Sequence, residues 1–174
     1  MRGYFGIGAE RISKAMNLGT LMRTAHAFGA SFAFVIDATY AVRQAKSDTS
    51  EAAGQMPIYD VPDAASLVLP KKCRLVGIEL TDDAVDLPSF RHPRQAAYVL
   101  GPERGELSPD LQARCDHVVR IPTRFCVNLG VAGAIVMYDR LVSLGRFAER
   151  PVGPGAPRAE PAAHTHGGRV HRLP

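Results

Sequence analysis

The longest apolar stretch of the chain lies in VNLGVAGAIVMYDRLVSL, directly after the segment IPTRFC. From Leu129 to Leu144 the apolar side chains Leu129, Val131, Ala132, Ala134, Ile135, Val136, Met137, Leu141, Val142 and Leu144 leave no broad polar stripe. A helix of that pattern is one buried on both flanks. Gly130, Ala132, Gly133 and Ala134 crowd its first turns, and side chains that short let another backbone or a bound ligand come close. Asn128 stands where an N-cap belongs, its side-chain oxygen placed to accept a bond from the first turn. The stretch reads as a strand ending at Ile121, a Pro-containing loop, and a buried helix whose start can enclose a small molecule or simply a core.

Upstream, the pattern alternates between strand-length apolar runs and helical periods. Tyr4 to Gly8 reads as a first strand, and GAERISKAM after it as a polar, mobile loop placed to lie over a site. Asn17 precedes a helical period carrying Leu18, Leu21, Met22, Ala25 and Phe28 on one side and ending at Gly29. At about 100° per residue Arg23 falls opposite that stripe, where a solvated arginine is the ordinary explanation. Phe32 to Ile36 is apolar throughout, the mark of a strand covered on both faces. The chain is polar from Asp37 to Met56. Ile58 to Val61 reads as a strand, Asp63 to Leu69 as a short helix, and Arg74 to Leu80 as a strand. Ala96 to Leu100 is another strand, running into GPERGELS, where Ser108 and Pro109 supply a helix cap and first-turn proline. Val118 to Ile121 is the last strand. Strands alternating with helices, many of them apolar throughout, predict an α/β domain with a mostly parallel sheet.

Composition narrows this picture in only a few respects. With 174 residues, 46% of them apolar, the chain is expected to bury one core in a single domain over residues 1–148. Residues 149–174 hold nine Pro or Gly and almost no large apolar side chains, so this tail reads as disordered, and its histidines as solvated. No apolar run approaches the roughly 18 residues of a membrane span, and the N-terminus carries no signal-peptide pattern. The expectation is a cytoplasmic protein without a membrane partner. Cys73, Cys115 and Cys126 stand far apart in no metal-binding spacing, so neither a disulfide framework nor a metal site is implied. The net charge of +4, with 17 of 21 basic residues Arg, is compatible with an anionic partner but is weak support for one.

Candidate chemistry gathers in three segments: NLGTLMRTAHAFG from Asn17, LGPERGELS from Leu100, and IPTRFCVNLGVAGA from Ile121. The last two follow strands and precede helices, which puts them at strand carboxyl ends, where open α/β sheets hold ligands. Gly101 and Gly105 permit tight turns, and Glu103 offers a carboxylate at the loop tip. Nucleotide motifs are absent. GIGAER at Gly6 lacks the third glycine of a dinucleotide fingerprint, and no Gly-Lys-Ser/Thr is present, so dehydrogenase and NTPase readings have no anchor.

In this order and spacing the segments resemble motifs 1, 2 and 3 of the SpoU/TrmH family of RNA ribose methyltransferases, within the SPOUT superfamily. Motif 1 is matched by Asn17, Gly19 and Arg23. Motif 2 is matched by Gly101, Glu103, Gly105 and, one position along, Ser108, and motif 3 by Ile121, Pro122, Asn128, Leu129 and Ala132. The resemblance spans residues 3–148 and implies an α/β fold with a mostly parallel sheet flanked by helices and a deep C-terminal trefoil knot. It implies that S-adenosylmethionine, without a metal, is held mainly by backbone groups at Ile78, Glu79, Leu80, Gly101, Glu103, Gly105, Ile121, Pro122, Val127 and Leu129. It also implies a homodimer in which Arg23 reaches the partner's cofactor. Arg23, Asn17, Glu103 and Asn128 become the catalytic candidates: Arg23 by charge, the two asparagines by orienting backbone and substrate, Glu103 by fixing the loops or pairing with Arg23. The substrate expected is RNA, tRNA ahead of rRNA, met by basic side chains such as Arg43, Lys46, Arg91, Arg94 and Arg124. The alternatives are a non-catalytic RNA-binding homologue, a cofactor-binding regulatory dimer, and a base methyltransferase of another SPOUT branch.

Overall fold

The apolar runs become the strands of one sheet in the computed structural model, which describes residues 3–38, 52–151, 153–155, 165–166 and 169–170. Residues 1–144 and 145–174 form two units. The first holds β1 (Tyr4–Glu10), α1 (Ala15–Ala27), β2 (Phe32–Ile36), α2 (Ala52–Gln55), β3 (Ile58–Val61), β4 (Arg74–Ile78), β5 (Val85–Asp86), β6 (Gln95–Leu100), α3 (Pro109–Arg114), β7 (His117–Arg120) and α4 (Leu129–Leu144). The described residues of the second include the antiparallel pair β8 (Thr165–His166) and β9 (Arg169–Val170). Most of the tail expected to be disordered lies outside the described residues, as do Arg43 and Lys46.

The seven strands of the first unit run in the order β3-β2-β1-β6-β4-β7-β5, every pair parallel. Alternate side chains of each strand point to opposite faces, and both faces are covered, which explains why the strands read as unbroken apolar runs. Ile7, Ala9, Val35, Val76, Tyr98 and Leu100 pack with Leu18, Leu21 and Met22 of α1 and Val136 and Met137 of α4. Phe34, Ile36, Leu75, Ala97 and Val99 pack with Leu107 and Leu111 on the other side. The glycines of GIGAER serve packing. A Cβ at Gly6 would lie 2.2 Å from the Phe32 ring, and one at Gly8 would lie 2.3 Å from the Phe34 carbonyl.

Four expectations change. β1 continues to Glu10, and Ile12 is buried, so GAERISKAM is no mobile flap. The chain leaves the strand at Arg11, whose φ of +49° turns it sharply. α1 begins at Ala15, with Asn17 inside its first turn, and Lys14 at the cap position makes no side-chain cap bond. Asp63–Leu69 forms turns and no helix. The Asp63 carboxylate caps the Ser66 amide at 2.7 Å, but Arg114 captures the carbonyls of Ala64 and Leu67 that a growing helix would need. Finally, α4 is not buried on both flanks. Among the described residues α1, β6 and the turn Leu87–Ser89 pack against it, leaving Val131, Tyr138 and Val142 at 49%, 54% and 38% exposure.

A buried polar cluster ties α4 to the amino ends of β1 and β6. Arg140, only 4% exposed, donates to the carbonyls of Pro93 (2.6 Å), Arg94 (2.9 Å) and Tyr4 (3.3 Å) and to the Tyr98 hydroxyl (3.1 Å). With its oxygen taken by Arg140, Tyr98 directs its proton to Nδ1 of buried His92 (2.6 Å), and Nε2–H of His92 donates to Asp139 (2.8 Å), a tautomer assigned from these partners. Burial pushes the Tyr98 phenol up to about 12. Burial also lowers the His92 pKa, against the opposing pull of Asp139. The folded protein therefore binds this proton less readily than the unfolded chain. The stability gained is full above the unfolded value of about 6.5 and falls as pH drops below it. Melting temperature should decline between pH 7 and pH 5, and His92→Gln should flatten that decline. An unchanged slope would assign the loss to other groups.

Candidate active site

Three neighbouring strands, β6, β4 and β7, end side by side, and the loops that leave them wall a cavity of about 170 Å³. Ile78, Glu79 and Leu80 line it after β4, Leu100 to Glu103 and Gly105 after β6, and Ile121, Thr123, Cys126 and Val127 after β7. Leu129 and Ala132 from the first turn of α4 complete it. Among the described residues the lining contains no Lys, Arg or His, and its only formal charges are the carboxylates of Glu79 and Glu103.

A continuous hydrogen-bond chain holds the loops. Glu103 accepts from the Ser13 amide (3.1 Å) and hydroxyl (2.9 Å), the Lys14 amide (3.2 Å) and Asn17 Nδ2 (2.9 Å). A carboxylate some 90 residues away thus satisfies the amide of Lys14, at the cap position of α1, and of Ser13 before it, and its negative charge suits a helix amino end. Asn17 Oδ1 accepts from Asn128 Nδ2 (3.0 Å), and Asn128 Oδ1 caps α4 through the Gly130 amide (2.9 Å). One carboxylate and two amides therefore join the three sequence segments. Gly105, at φ +105°, supplies the turn that presents Glu103.

Burial alone would raise the Glu103 pKa, but the Ser13 amide and hydroxyl and Asn17 outweigh it and hold the carboxyl below its ordinary value. Its contribution to stability is present above the unfolded value and lost as pH falls through the lowered one. Glu103→Gln places an N–H₂ against donors and should cost about 1–3 kcal/mol in denaturant unfolding at neutral pH, the difference shrinking as pH falls below about 4. An equally stable variant at neutral pH would refute the capping role.

A second clamp was not evident in the sequence. Glu10, buried at the end of β1, accepts from the Ser108 amide (2.7 Å) and hydroxyl, while Arg11 donates to the Glu106 carbonyl (2.7 Å). Glu79 accepts from the Leu107 amide (2.9 Å). Three side chains thus hold residues 106–108.

Of the residues expected at the cofactor site, Ile78, Glu79, Leu80, Gly101, Glu103, Gly105, Ile121, Val127 and Leu129 line this cavity together. Pro122 does not. The Thr123 amide bonds back to the Ile121 carbonyl (2.7 Å), a tight turn that puts Pro122 in the wall of a neighbouring cavity. Leu100, Pro102, Thr123 and Cys126 are lining residues the sequence reading did not assign, although each adjoins one it did. Arg23 is exposed on α1, outside the lining, and makes no hydrogen bond or ion pair with the described residues, so it does not pair with Glu103. Arg91, Arg94 and Arg124 are exposed. Among the described residues no group could hold a metal ion, and no helix is long and apolar enough to cross a membrane.

Comparison with known proteins agrees with this geometry. The chain is 30% identical over 141 residues to mouse tRNA (guanosine(18)-2'-O)-methyltransferase TARBP1, covering 75% of this chain and 9% of that protein. It is 24% identical over 139 residues to the tRNA (guanosine(18)-2'-O)-methyltransferase of Escherichia coli K12, covering 75% of this chain and 59% of the relative. The chain thus spans less than two thirds of the length of either. The SpoU methyltransferase AviRb from Streptomyces viridochromogenes, solved with AdoMet, superposes with a TM-score of 0.70 at 23% identity over 80% of this chain and 57% of its own. The AdoMet-bound rRNA methyltransferase from Sinorhizobium meliloti gives 0.73 at 21% over 84% and 59%. These two share the fold. The profile of the SpoU rRNA Methylase family matches residues 5–138, a span that contains all three loops and the network joining them, and the chain belongs to that family.

Proposed function

We propose that the chain transfers a methyl group from S-adenosylmethionine to a ribose 2'-hydroxyl of RNA, with tRNA the favoured substrate and rRNA the alternative. The observation that carries this reading is the Glu103–Asn17–Asn128 chain, which closes three loops around a cavity whose described lining holds no basic side chain. Such a cavity fits the cofactor. A sulfonium is repelled by no cation of the described lining, apolar Leu100, Ile121, Val127, Leu129 and Ala132 suit a flat purine, and loop backbone groups offer donors and acceptors for its edges. When bound, this group supplies an electrophilic methyl that needs no further activation.

The protein's remaining task is to align the sugar oxygen and favour its alkoxide. Arg23 is the group assigned to that task. A guanidinium with a pKa above about 12 is a poor proton acceptor, so its role is to hold the target phosphate and stabilise charge developing on the oxygen. Because Arg23 lies outside the cavity of its own chain, the reading includes a homodimer in which it serves the partner's site. The exposed Val131, Tyr138 and Val142 on α4 support such a contact, being spaced to share one helical face. The reading also includes a deep trefoil knot around residues 121–144, supported by family membership.

Calorimetry should show S-adenosylmethionine retained by the wild-type protein and lost in Gly101→Val, since even a Cβ at Gly101 would lie 2.8 Å from Glu79 Oε2 and 3.2 Å from the Leu107 amide. Tritium should then pass from labelled donor to bulk cellular RNA. Salt-dependent RNA association without transfer would favour the non-catalytic homologue, and donor binding without RNA association a regulatory dimer.

A further inference from the structure

The two carboxylates that line the donor cavity are held in different ways. Glu103 spends its oxygens on four donors at the start of α1. Glu79 follows β4 and is fixed at both ends. Its amide donates to the Val119 carbonyl (3.0 Å), while its carboxylate accepts from the Leu80 amide (3.0 Å) and, across 28 residues, from the Leu107 amide (2.9 Å). Leu107 is 1% exposed, so its amide would be stranded if this bond were given up. The carboxylate also stands against Gly101, where a Cβ would lie 2.8 Å from Oε2. Glu79 is thus half-buried and held from swinging away, and among the described residues it forms no ion pair with a Lys or Arg.

A fixed anion in this wall matters because the ligand of the cavity changes charge. S-adenosylmethionine and S-adenosylhomocysteine share the adenosine, the ammonium and the carboxylate, and differ by a methyl group and one positive charge on sulfur. In a cavity of about 170 Å³ any charge stays close to the walls, and a half-buried carboxylate is screened less than one in open water. Its attraction acts on the sulfonium and has no counterpart for the thioether. We propose that Glu79 makes the cavity selective for the cationic donor over the neutral product, so that transfer itself loosens the hold on what remains. The inference rests on the 2'-O-transfer reading above and adds a specificity residue to it. In transfer a carbon–oxygen bond forms as the carbon–sulfur bond breaks, the electron pair stays on sulfur, and the hydroxyl proton passes to solvent. The carboxylate is left unchanged beside a ligand that has lost its charge.

Calorimetry separates this role from a merely structural one without any turnover. Full-length protein is titrated with S-adenosylmethionine, with S-adenosylhomocysteine, and with sinefungin, which carries an amine, protonated at neutral pH, in place of the S-methyl group. Glu79→Gln should lower the ratio of donor affinity to product affinity about fivefold or more, and sinefungin affinity should fall in step with the donor. The glutamine keeps one acceptor oxygen but sets an N–H₂ against the second amide, and loops loosened in that way weaken all three ligands together. In the wild type the donor preference should also shrink as salt is raised from about 0.05 to 0.5 M, and in Glu79→Gln it should shrink much less. If the substitution weakens the three ligands equally, or none of them, Glu79 is at most a loop brace and the inference is overturned. Should the variant not fold, a wild-type preference indifferent to salt is the contrary result. Wild-type protein that binds none of the three sinks the transferase reading and this inference with it. A charge-dependent preference in a protein that labels no RNA would uphold the role of Glu79 and count against the transferase reading alone.

Discussion

Arg23→Ala should lower methyl transfer about 10²–10³-fold, the usual cost of removing one group that stabilises a developing oxyanion. Donor affinity should stay within about twofold. Thermal stability should also hold, because Arg23 is exposed and makes no hydrogen bond or ion pair with the described residues, and surface substitutions of that kind stay within about 0.5 kcal/mol. Mixing resolves which subunit it serves. Arg23→Ala keeps an intact donor cavity and Gly101→Val keeps an intact arginine, so co-refolded heterodimers regain one working site if Arg23 acts across the interface. Two inactive variants that stay inactive when mixed would place Arg23 in its own chain. Joint loss of donor binding and turnover would make it structural.

The largest stability effect is expected at Arg140. Replacing it with Met leaves three carbonyls and the Tyr98 hydroxyl without their donor, and strips the cation from the Phe5 ring 5.2 Å away. Breaking a buried charge-assisted network costs on the order of 3–5 kcal/mol. Arg140→Lys should recover only part, since one ammonium has three donors and no planar fork to span β1 and β6. Urea unfolding followed by circular dichroism gives the difference. A loss under about 1 kcal/mol from Arg140→Met would mean that water or neighbouring groups replace the guanidinium.

The sheet was legible in the sequence because its parallel strands are covered on both faces and therefore read as unbroken apolar runs, as in Phe32–Ile36 and Ala96–Leu100. The three loops were legible because Asn17, Glu103 and Asn128 form the joining bonds with their own side chains. What pattern could not give was partnership over distance. Glu10 meets Ser108 across 98 residues, and in the sequence it is simply the first charge after YFGIGA. His92, Tyr98, Asp139 and Arg140 carry no spacing cue, since three separate parts of the chain bring them together. The short helix expected at 63–69 failed for a related reason, its carbonyls being taken by Arg114 about 50 residues on. The exposed face of α4 shows a further limit. Apolar residues all around a helix state that it should be covered, but not that its own chain does the covering.

The most direct test of the whole account is the chemical position of the transferred methyl group. Unmodified tRNA transcripts incubated with the protein and [methyl-³H]S-adenosylmethionine are hydrolysed in alkali, which cleaves every linkage that has a free 2'-hydroxyl. The account predicts tritium in alkali-resistant dinucleotides, released as 2'-O-methylnucleoside by later enzymatic digestion and absent with Arg23→Ala. Tritium in base-methylated mononucleotides, or none in RNA from protein that binds the donor, would contradict it.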